Sequence, residues 1–396
     1  MVFSFFTKRV IDESFTLLID IGSASVGAAR VRIEAGKPPH ILATARREIS
    51  FQDSLSSPRF ISAMNRELEH VLRDIKIKNG RAGAPAHIFC SLSSPWFILK
   101  SRRTVAREEQ AFEVTRRGIE DLLNKDTEKL KQELAPALPA ADVAVIERKI
   151  IQTKLNGYEI KDLYGKKTTE LEVESVVSLS SRRAIESITR SVGHFFHSPK
   201  IHFSAFPLAA FSTIRDMFPN EQNFLFLDIT GEATDVSLIE RDMIVETMLF
   251  PRGKNFFIRE ISIKKRTSHE EAASLFALFL RGELKEAGQQ EIENIVARNR
   301  EEWRTRFEKA LSTSPSYRAP IRKIFFTTDA DSKQLFEQLI VSAQAKTLDA
   351  KNLEVCYLDH TVLANLATIA SEVTRDPFLI LEALFAKKLL VADNQK

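Results

Sequence analysis

Glycine is scarce in this chain, at 13 of 396 residues. Loops that cradle phosphate depend on glycine for close backbone approach, so a phosphate site here must be built with few of them. Cysteine is scarcer. Cys90 and Cys356 lie in apolar, strand-like runs, which gives no disulfide framework and points to a reducing compartment. No Cys-x-x-Cys pair and no His/Cys cluster has the spacing of a metal site. His194 and His197 stand three apart at a helix end with no third ligand evident. No apolar run reaches the roughly 18 residues needed to span a bilayer. Phe3, Phe5 and Phe6 precede Lys8 and Arg9, too short a stretch for a secretory leader and with its basic residues on the wrong side. No Gly-x-Ser-x-Gly elbow supports serine-nucleophile chemistry.

What is present describes a soluble globular chain of two to four domains, 44% hydrophobic and 28% charged. The 57 basic and 53 acidic residues leave a net charge of +4, too balanced to argue for nucleic acid.

One device occurs twice. Leu17-Leu18-Ile19-Asp20-Ile21-Gly22-Ser23-Ala24-Ser25-Val26-Gly27 is an apolar run ending in an acid, a glycine and small residues. Phe224-Leu225-Phe226-Leu227-Asp228-Ile229-Thr230-Gly231-Glu232-Ala233-Thr234-Asp235 repeats the plan. Each apolar run suits a buried strand with its acid at the exit from the core. Small residues then allow a tight turn whose N–H groups can face an anion, and a second alternating stretch completes a hairpin. Two such hairpins could close on a nucleotide phosphate, with Asp20 and Asp228 holding a hydrated Mg²⁺. A strand ending in Asp-x-Gly is also a common turn, so the argument rests on the pair.

Along the chain, the pattern predicts a hairpin over 15–33, a strand over 41–49, a helix over 60–77 and a strand over 87–92. A strand over 96–105 and a charged helix over 108–134 follow, then strands over 144–155 and 171–179. The segments 184–195 and 208–217 read as helices around a strand at 201–206. Beyond the second hairpin, helices are expected over 255–263, 268–280 and 291–311. Strands at 321–326 and 353–358 flank a helix over 331–343, and helices near 361–372 and 377–390 close the chain. The implied domains are 1–94 plus 180–218, an α+β insertion at 95–179, 219–252 plus 320–390, and a helical unit at 253–319. This is a duplicated, two-lobed α/β plan with a cleft between lobes. The apolar stretch 377–390, ending in Lys387 and Lys388, suits either a core helix closing the second lobe or an interfacial membrane helix. Residues 1–9 are a second candidate anchor or a frayed tail. The basic residues Arg252, Lys254, Arg259, Lys264, Lys265 and Arg266 read as a solvated face or as a surface for an acidic partner.

These residues resemble the actin-like ATPase superfamily, with its ribonuclease H-like lobes, and within it the FtsA and PilM branch. The first turn is similar to the family's Asp-Ile-Gly-Ser/Thr loop and the second to its Asp-Ile-Gly-Gly-Gly-Thr-Thr-Asp loop. Pro251-Arg252-Gly253-Lys254-Asn255 resembles the turn that follows, and Asn156-Gly157-Tyr158 with Lys161-Asp162-Leu163-Tyr164-Gly165 resembles the SHS2 segment. The resemblance implies an ATP site. Asp20 and Asp228 would orient Mg²⁺ waters, and Gly22, Ser23 and Ser25 would approach the outer phosphates. Thr230, Gly231, Glu232, Ala233 and Thr234 would form the opposing loop, oriented by Asp235. Gly253, Thr327 and Thr328 would complete the nucleotide contacts.

Three departures weaken the chemistry. Thr230, Glu232 and Ala233 replace family glycines and a threonine, adding Cβ atoms and a negative charge beside a polyanion. Phe206 replaces the carboxylate that orients the attacking water. Thr327-Thr328-Asp329-Ala330 replaces a Gly-Gly turn that makes room for adenosine. The implied protein is an FtsA-like cytoplasmic scaffold or adaptor in bacterial cell division, at the inner face of the membrane. It would bind ATP and Mg²⁺ or retain a degenerate site, be at most a slow ATPase, and assemble with protein partners or with itself. The rivals are a PilM-like component of a type IV pilus platform and a phosphotransferase of the same superfamily.

Overall fold

The computed structural model describes residues 15–52, 57–78, 83–135, 142–196, 200–313, 320–345, 348, 349 and 351–393. Residues 1–9 and His197 lie outside that set. The chain opens on the expected hairpin, β1 (Thr16–Ile21) paired antiparallel with β2 (Ser25–Arg32). β3 (His40–Glu48) lies antiparallel to β2. β1 is buried along its length, as an unbroken apolar run must be when helices cover both faces of a sheet. α1 (Ser57–Lys78) supplies one cover, burying Met64, Leu68, Val71, Leu72 and Ile75. β4 (His87–Leu92) then joins β1 in parallel.

The insertion has one helix and four strands, in the order β5 (Phe97–Glu113), α2 (Arg116–Leu134), β6 (Val143–Leu155), the two-residue β7 (Tyr158–Glu159) and β8 (Lys167–Ser181). The helix expected from residue 108 starts later. β5 continues to Glu113, which pairs with Lys167, and the α2 N-cap is Thr115, whose hydroxyl accepts from the Gly118 N–H at 3.0 Å. Pairing with a long partner strand, and the position of a residue able to cap, override the charged periodicity of 108–113.

The first lobe resumes with α3 (Arg182–Phe196) and β9 (Ile201–Ala205), the latter parallel to β4. α4 (Phe206–Met217) follows directly, with Pro207 in its first turn. The second lobe repeats the hairpin plan in β10 (Phe224–Ile229), β11 (Thr234–Glu240) and β12 (Met243–Phe250). Helices α5 (Lys254–Lys265), α6 (His269–Arg281) and α7 (Glu286–Ser312) come next. Then come β13 (Lys323–Thr327), a 3-10 turn at Ala330–Ser332, α8 (Lys333–Val341) and β14 (Glu354–Tyr357). Ser268 caps α6, its Oγ accepting from the Glu271 N–H at 3.2 Å.

Two expectations for the end of the chain fail. Residues 361–372 form turns and β15 (Thr368–Ile369), which pairs with β3. α9 (Pro377–Asp393) neither closes the second lobe nor faces a membrane. It packs on β1, β2 and α4 with Leu379, Ile380, Leu381, Ala383 and Ala386 buried. A helix apolar on all sides is surrounded on all sides; here the surroundings are the first sheet and α4. No helix among the described residues is long and apolar enough to cross a membrane.

Among the described residues three sheets result, ordered β15-β3-β2-β1-β4-β9, β12-β11-β10-β13-β14 and β5-β8-β6-β7. The largest core contains α4 and α9 and reaches one face of the second sheet through Phe224, Phe226, Ile239 and Phe325. Leu225, Leu227 and Ile229 point the other way, into a second core under α5 to α8. The insertion touches both lobes: β6 runs beside β9. Ser101 Oγ on β5 donates to the Ile244 carbonyl, and Thr247 Oγ1 on β12 to the Leu99 carbonyl, each at 2.7 Å.

Candidate functional site

The fold brings the two small-residue turns face to face, as the duplicated hairpins require, but they meet each other directly. Ser23 Oγ donates to Thr230 Oγ1 at 2.8 Å and accepts from the Glu232 N–H at 2.9 Å. Gly231 lies so close to the first turn that an added Cβ would stand 2.7 Å from Ala24 Cβ. Behind the second turn, a Cβ on Gly253 would fall 2.1 Å from the Thr230 carbonyl oxygen. That closeness lets the Lys254 and Asn255 N–H groups donate to the Thr230 and Gly231 carbonyls at 3.1 and 2.7 Å. The free N–H groups at a helix start ordinarily suit an anion. On α5 the turn's own carbonyls use two of these donors.

The charges are neutralised internally as well. Arg46, on β3, spreads its guanidinium over three partners. Nη2 donates to Asp20 Oδ2 at 2.6 Å, Nη1 to Ser25 Oγ at 2.8 Å and Nε to Asp376 Oδ2 at 2.7 Å. Burial opposes the Arg46 charge, but Asp376 and Asp20 outweigh it and push its pKa upward. Gly27 makes the room, since a Cβ there would stand 2.6 Å from Nη2. Phe378, at the start of α9, lies under the guanidinium, 5.4 Å from Cζ to ring centre. Glu382 reaches the same region from α9 with Oε1 unpartnered. Burial, and then the neighbouring Asp20, push its carboxyl well above the usual range.

Asp228 sits opposite Asp235 in the β10–β11 register and is fully buried. Its Oδ1 accepts from Thr327 Oγ1 at 2.9 Å, and its Oδ2 has no partner. Burial, then the Asp235 carboxyl, push Asp228 well above the ordinary range. Asp235 does not brace the turn. Its Oδ1 accepts from Ser94 Oγ at 2.8 Å, beside the cis Ser94–Pro95 bond, and burial pushes it up to about 7 against the hydrogen bonds from Ser94. Neither carboxyl is set up as a solvated magnesium ligand.

The other predicted residues scatter. Glu232 turns away from the first turn and pairs with Arg259 at 3.0 Å and Asn255 at 2.8 Å. Arg259 also donates to the Gln52 carbonyl at 3.2 Å, so this pair ties the lobes together. Thr234 faces the second core, donating to the Arg252 carbonyl and accepting from Trp303 Nε1; Ala233 is buried beside it. Thr328 Oγ1 is buried without a partner, while its carbonyl accepts from Tyr357 at 2.9 Å. Asp329 and Asp331 hold Lys254 at 3.1 and 2.8 Å. Of the basic run, Arg252, Lys254, Arg259 and Lys265 are all ion-paired within the chain, to Glu302, the two aspartates, Glu232 and Glu291.

Between the turns remains a void of about 30 Å³, lined by Asp20, Ser23, Ser25, Arg46, Thr230 and Phe378 among others. That is room for one or two waters; a nucleotide-sized ligand needs roughly 300 Å³ or more. A larger cleft of about 730 Å³ opens beyond Arg46, between β3, Asp329, Lys333 and Asp376. Where the family carboxylate would stand, Phe206 is fully buried against Phe378 and Phe226, with ring centres 5.5 and 6.3 Å away. Between the turns, the residues present therefore leave no room for a metal-bound triphosphate in this arrangement, although the adjoining cleft is of nucleotide size. The sequence pattern found the two turns and Gly253 but missed Arg46, Gly27, Asp376 and Glu382. Gly27 inside an apolar strand was the available signal for Arg46.

No family model matches the sequence, and no curated protein matches it. A solved PilM–PilN type IV pilus biogenesis complex superposes with a TM-score of 0.62 at 15% identity, over 96% of this chain and 98% of that one. The fold is actin-like. More distant are the ethanolamine utilization protein EutJ from Carboxydothermus hydrogenoformans (TM-score 0.47, 13% identity, 94% and 90% covered) and MreB 5 of Spiroplasma citri bound to AMPPNP (0.46, 12%, 96% and 98%). Within the actin-like fold, this chain brings its two turns together and fills the space between them with its own side chains.

Proposed function

We propose that this chain is a non-catalytic actin-like scaffold that acts by holding protein partners, with a role of the PilM kind in a type IV pilus assembly platform. The observation that carries the non-catalytic part is Phe206. An apolar ring buried between the lobes stands where the resemblance requires a carboxylate, and the acids that line the void, Asp20 and Asp329, are held by Arg46 and Lys254. General-base activation of water, or of a sugar or acetate acceptor, needs a positioned proton acceptor. The same observation disfavours the phosphotransferase reading. The pilus role is favoured over cell division because the likeness to the PilM–PilN complex extends over nearly the whole of both chains, and so takes in the insertion. On this reading the protein works at the cytoplasmic face of a membrane through a membrane-bound partner.

The test uses the full chain. Purified protein is expected to release no phosphate from ATP above the level of an Asp20→Ala variant, and to bind a peptide from the cytoplasmic segment of a PilN-type partner. Turnover that Asp20→Ala abolishes would refute the scaffold reading. Binding to a division protein in place of that peptide would refute the pilus role.

A further inference from the structure

We infer that the free edge of β5 docks an extended acidic peptide, which adds as a strand beside residues 103–107 with its acids turned toward Lys125 and Lys129 of α2. The inference rests on the scaffold reading, since it says how a partner is held, and it adds the chemistry of that partner.

β5 pairs with β8 along one edge, and among the described residues no strand pairs with the other. As far as Ser101 that outer edge is taken up by β12, through the Ser101 and Thr247 hydroxyls. Beyond Arg107 the register with β8 shifts before Phe112, and such an irregularity spoils an edge for pairing. The regular free edge is therefore residues 103–107, room for a strand of five or six residues, about 17–20 Å. An unpaired edge of this kind is a template for strand addition, in which main-chain bonds give affinity and alternate side chains give specificity.

The flank of that edge selects the side chains. After Thr115, α2 returns antiparallel along β5, so that Arg102 reaches Asp126 and Glu133. Between Thr104 and α2 runs a groove of about 530 Å³, walled by Leu122 and by Lys125 and Lys129. The acids beside it are already committed, Asp126 to Arg102 and Glu128 to Lys131. Lys125 and Lys129 are exposed and have no anionic partner among the described residues, so the groove carries two unbalanced positive charges. They stand one helical turn apart, about 6 Å along the axis. Alternate side chains of a strand are about 6.7 Å apart, so acids at every second position of an added strand match the two lysines. The intervening side chains fall on the other face beside Val105, which is 40% exposed, and suit apolar residues. A second copy of this chain is disfavoured at the same edge. Antiparallel self-pairing would set Arg103 against Arg107, like charges directly opposite, and would bring the lysines of both copies together.

The test uses the full chain with a fluorescein-labelled peptide of three Glu-Val repeats, and a matching peptide of three Lys-Val repeats. Fluorescence anisotropy is expected to rise with the glutamate peptide and not with the lysine peptide, and the affinity to fall as salt is added. Amide exchange at residues 103–107 is expected to slow when the glutamate peptide binds. Lys125→Glu combined with Lys129→Glu, both on the exposed face of the helix, is expected to weaken binding at least about tenfold with circular dichroism unchanged. Equal binding of the two peptides overturns the inference, as does exchange at 103–107 that the bound peptide leaves unaltered. A dimer of the parent chain that the double variant abolishes gives the edge to a second copy and also overturns it. A chain that takes the PilN-type peptide but not the glutamate peptide sinks only this inference. ATP turnover that Asp20→Ala abolishes sinks the scaffold reading and leaves the glutamate peptide's binding to be scored on its own.

Discussion

Of the glycines that carry the closeness of the site, Gly253 and Gly27 have roles that substitution separates. At Gly253 the atom in the way is a backbone oxygen, so Gly253→Ala must displace the Thr230 turn from the start of α5. We expect a loss of about 3 kcal/mol in urea unfolding. At Gly27 the atom in the way is the far end of Arg46. Gly27→Ala is expected to cost about 1–3 kcal/mol in the parent and clearly less in an Arg46→Ala background, and a double-mutant cycle measures the difference. Asp235 gives a pH signature. Its carboxyl is raised from 3.8 to about 7 in the folded chain, so between those values the folded state binds the extra proton. The stability this contributes is complete below about pH 4 and is lost as pH rises to about 7, at most about 4 kcal/mol in all. Asp228 and Glu382, also raised, act with the same sign. Asp235→Asn, which can still accept from Ser94, should therefore flatten the fall in stability between about pH 4 and pH 7; an unchanged slope would refute the assignment. At this scale the turns and Gly253 were legible because each is a local pattern. Arg46 was not, because its partners come from the first hairpin and from the start of α9, and no spacing rule joins them.

Among the elements, α4 and α9 show what periodicity can and cannot tell. That α9 is buried follows from its composition; which core buries it does not, since an apolar helix fits any apolar slot. It returned to the first lobe because β15 and the Asp376 cap lead it there. The strand that became β5 was cut short in the sequence reading because the alternation of 106–113 is masked by charge; only the length of β8 reveals its partner. The hairpins themselves were legible because their alternation is clean. Phe206 joins these two helices to the second sheet, touching Phe378 and Phe226. Phe206→Ala is expected to cost about 3–5 kcal/mol. Phe206→Glu is expected to destabilise the chain without producing ATP hydrolysis, which a phosphate-release assay checks; restored turnover would mean that the rest of the site is intact.

For the whole molecule, lobes joined by α4, the Glu232–Arg259 pair and the insertion should not melt separately, although chains of this size often do. The two tryptophans report on different lobes. Trp96 Nε1 donates to the Gly22 carbonyl of the first turn, whereas Trp303 lies in the second core. In Trp96→Phe and Trp303→Phe variants, the remaining tryptophan's fluorescence is expected to change at the same denaturant concentration as that variant's far-ultraviolet circular dichroism. Separate midpoints would show that the lobes are independent.

The insertion's position has a mechanical consequence. Its sheet lies along β12 of one lobe and β9 of the other, so a partner pulling on its free end applies force to both lobes together. With hydroxyl bonds on one side and packed strands on the other, the load is divided instead of prising the cleft apart. On the proposed scaffold role, such a body would pass tension on through both lobes at once.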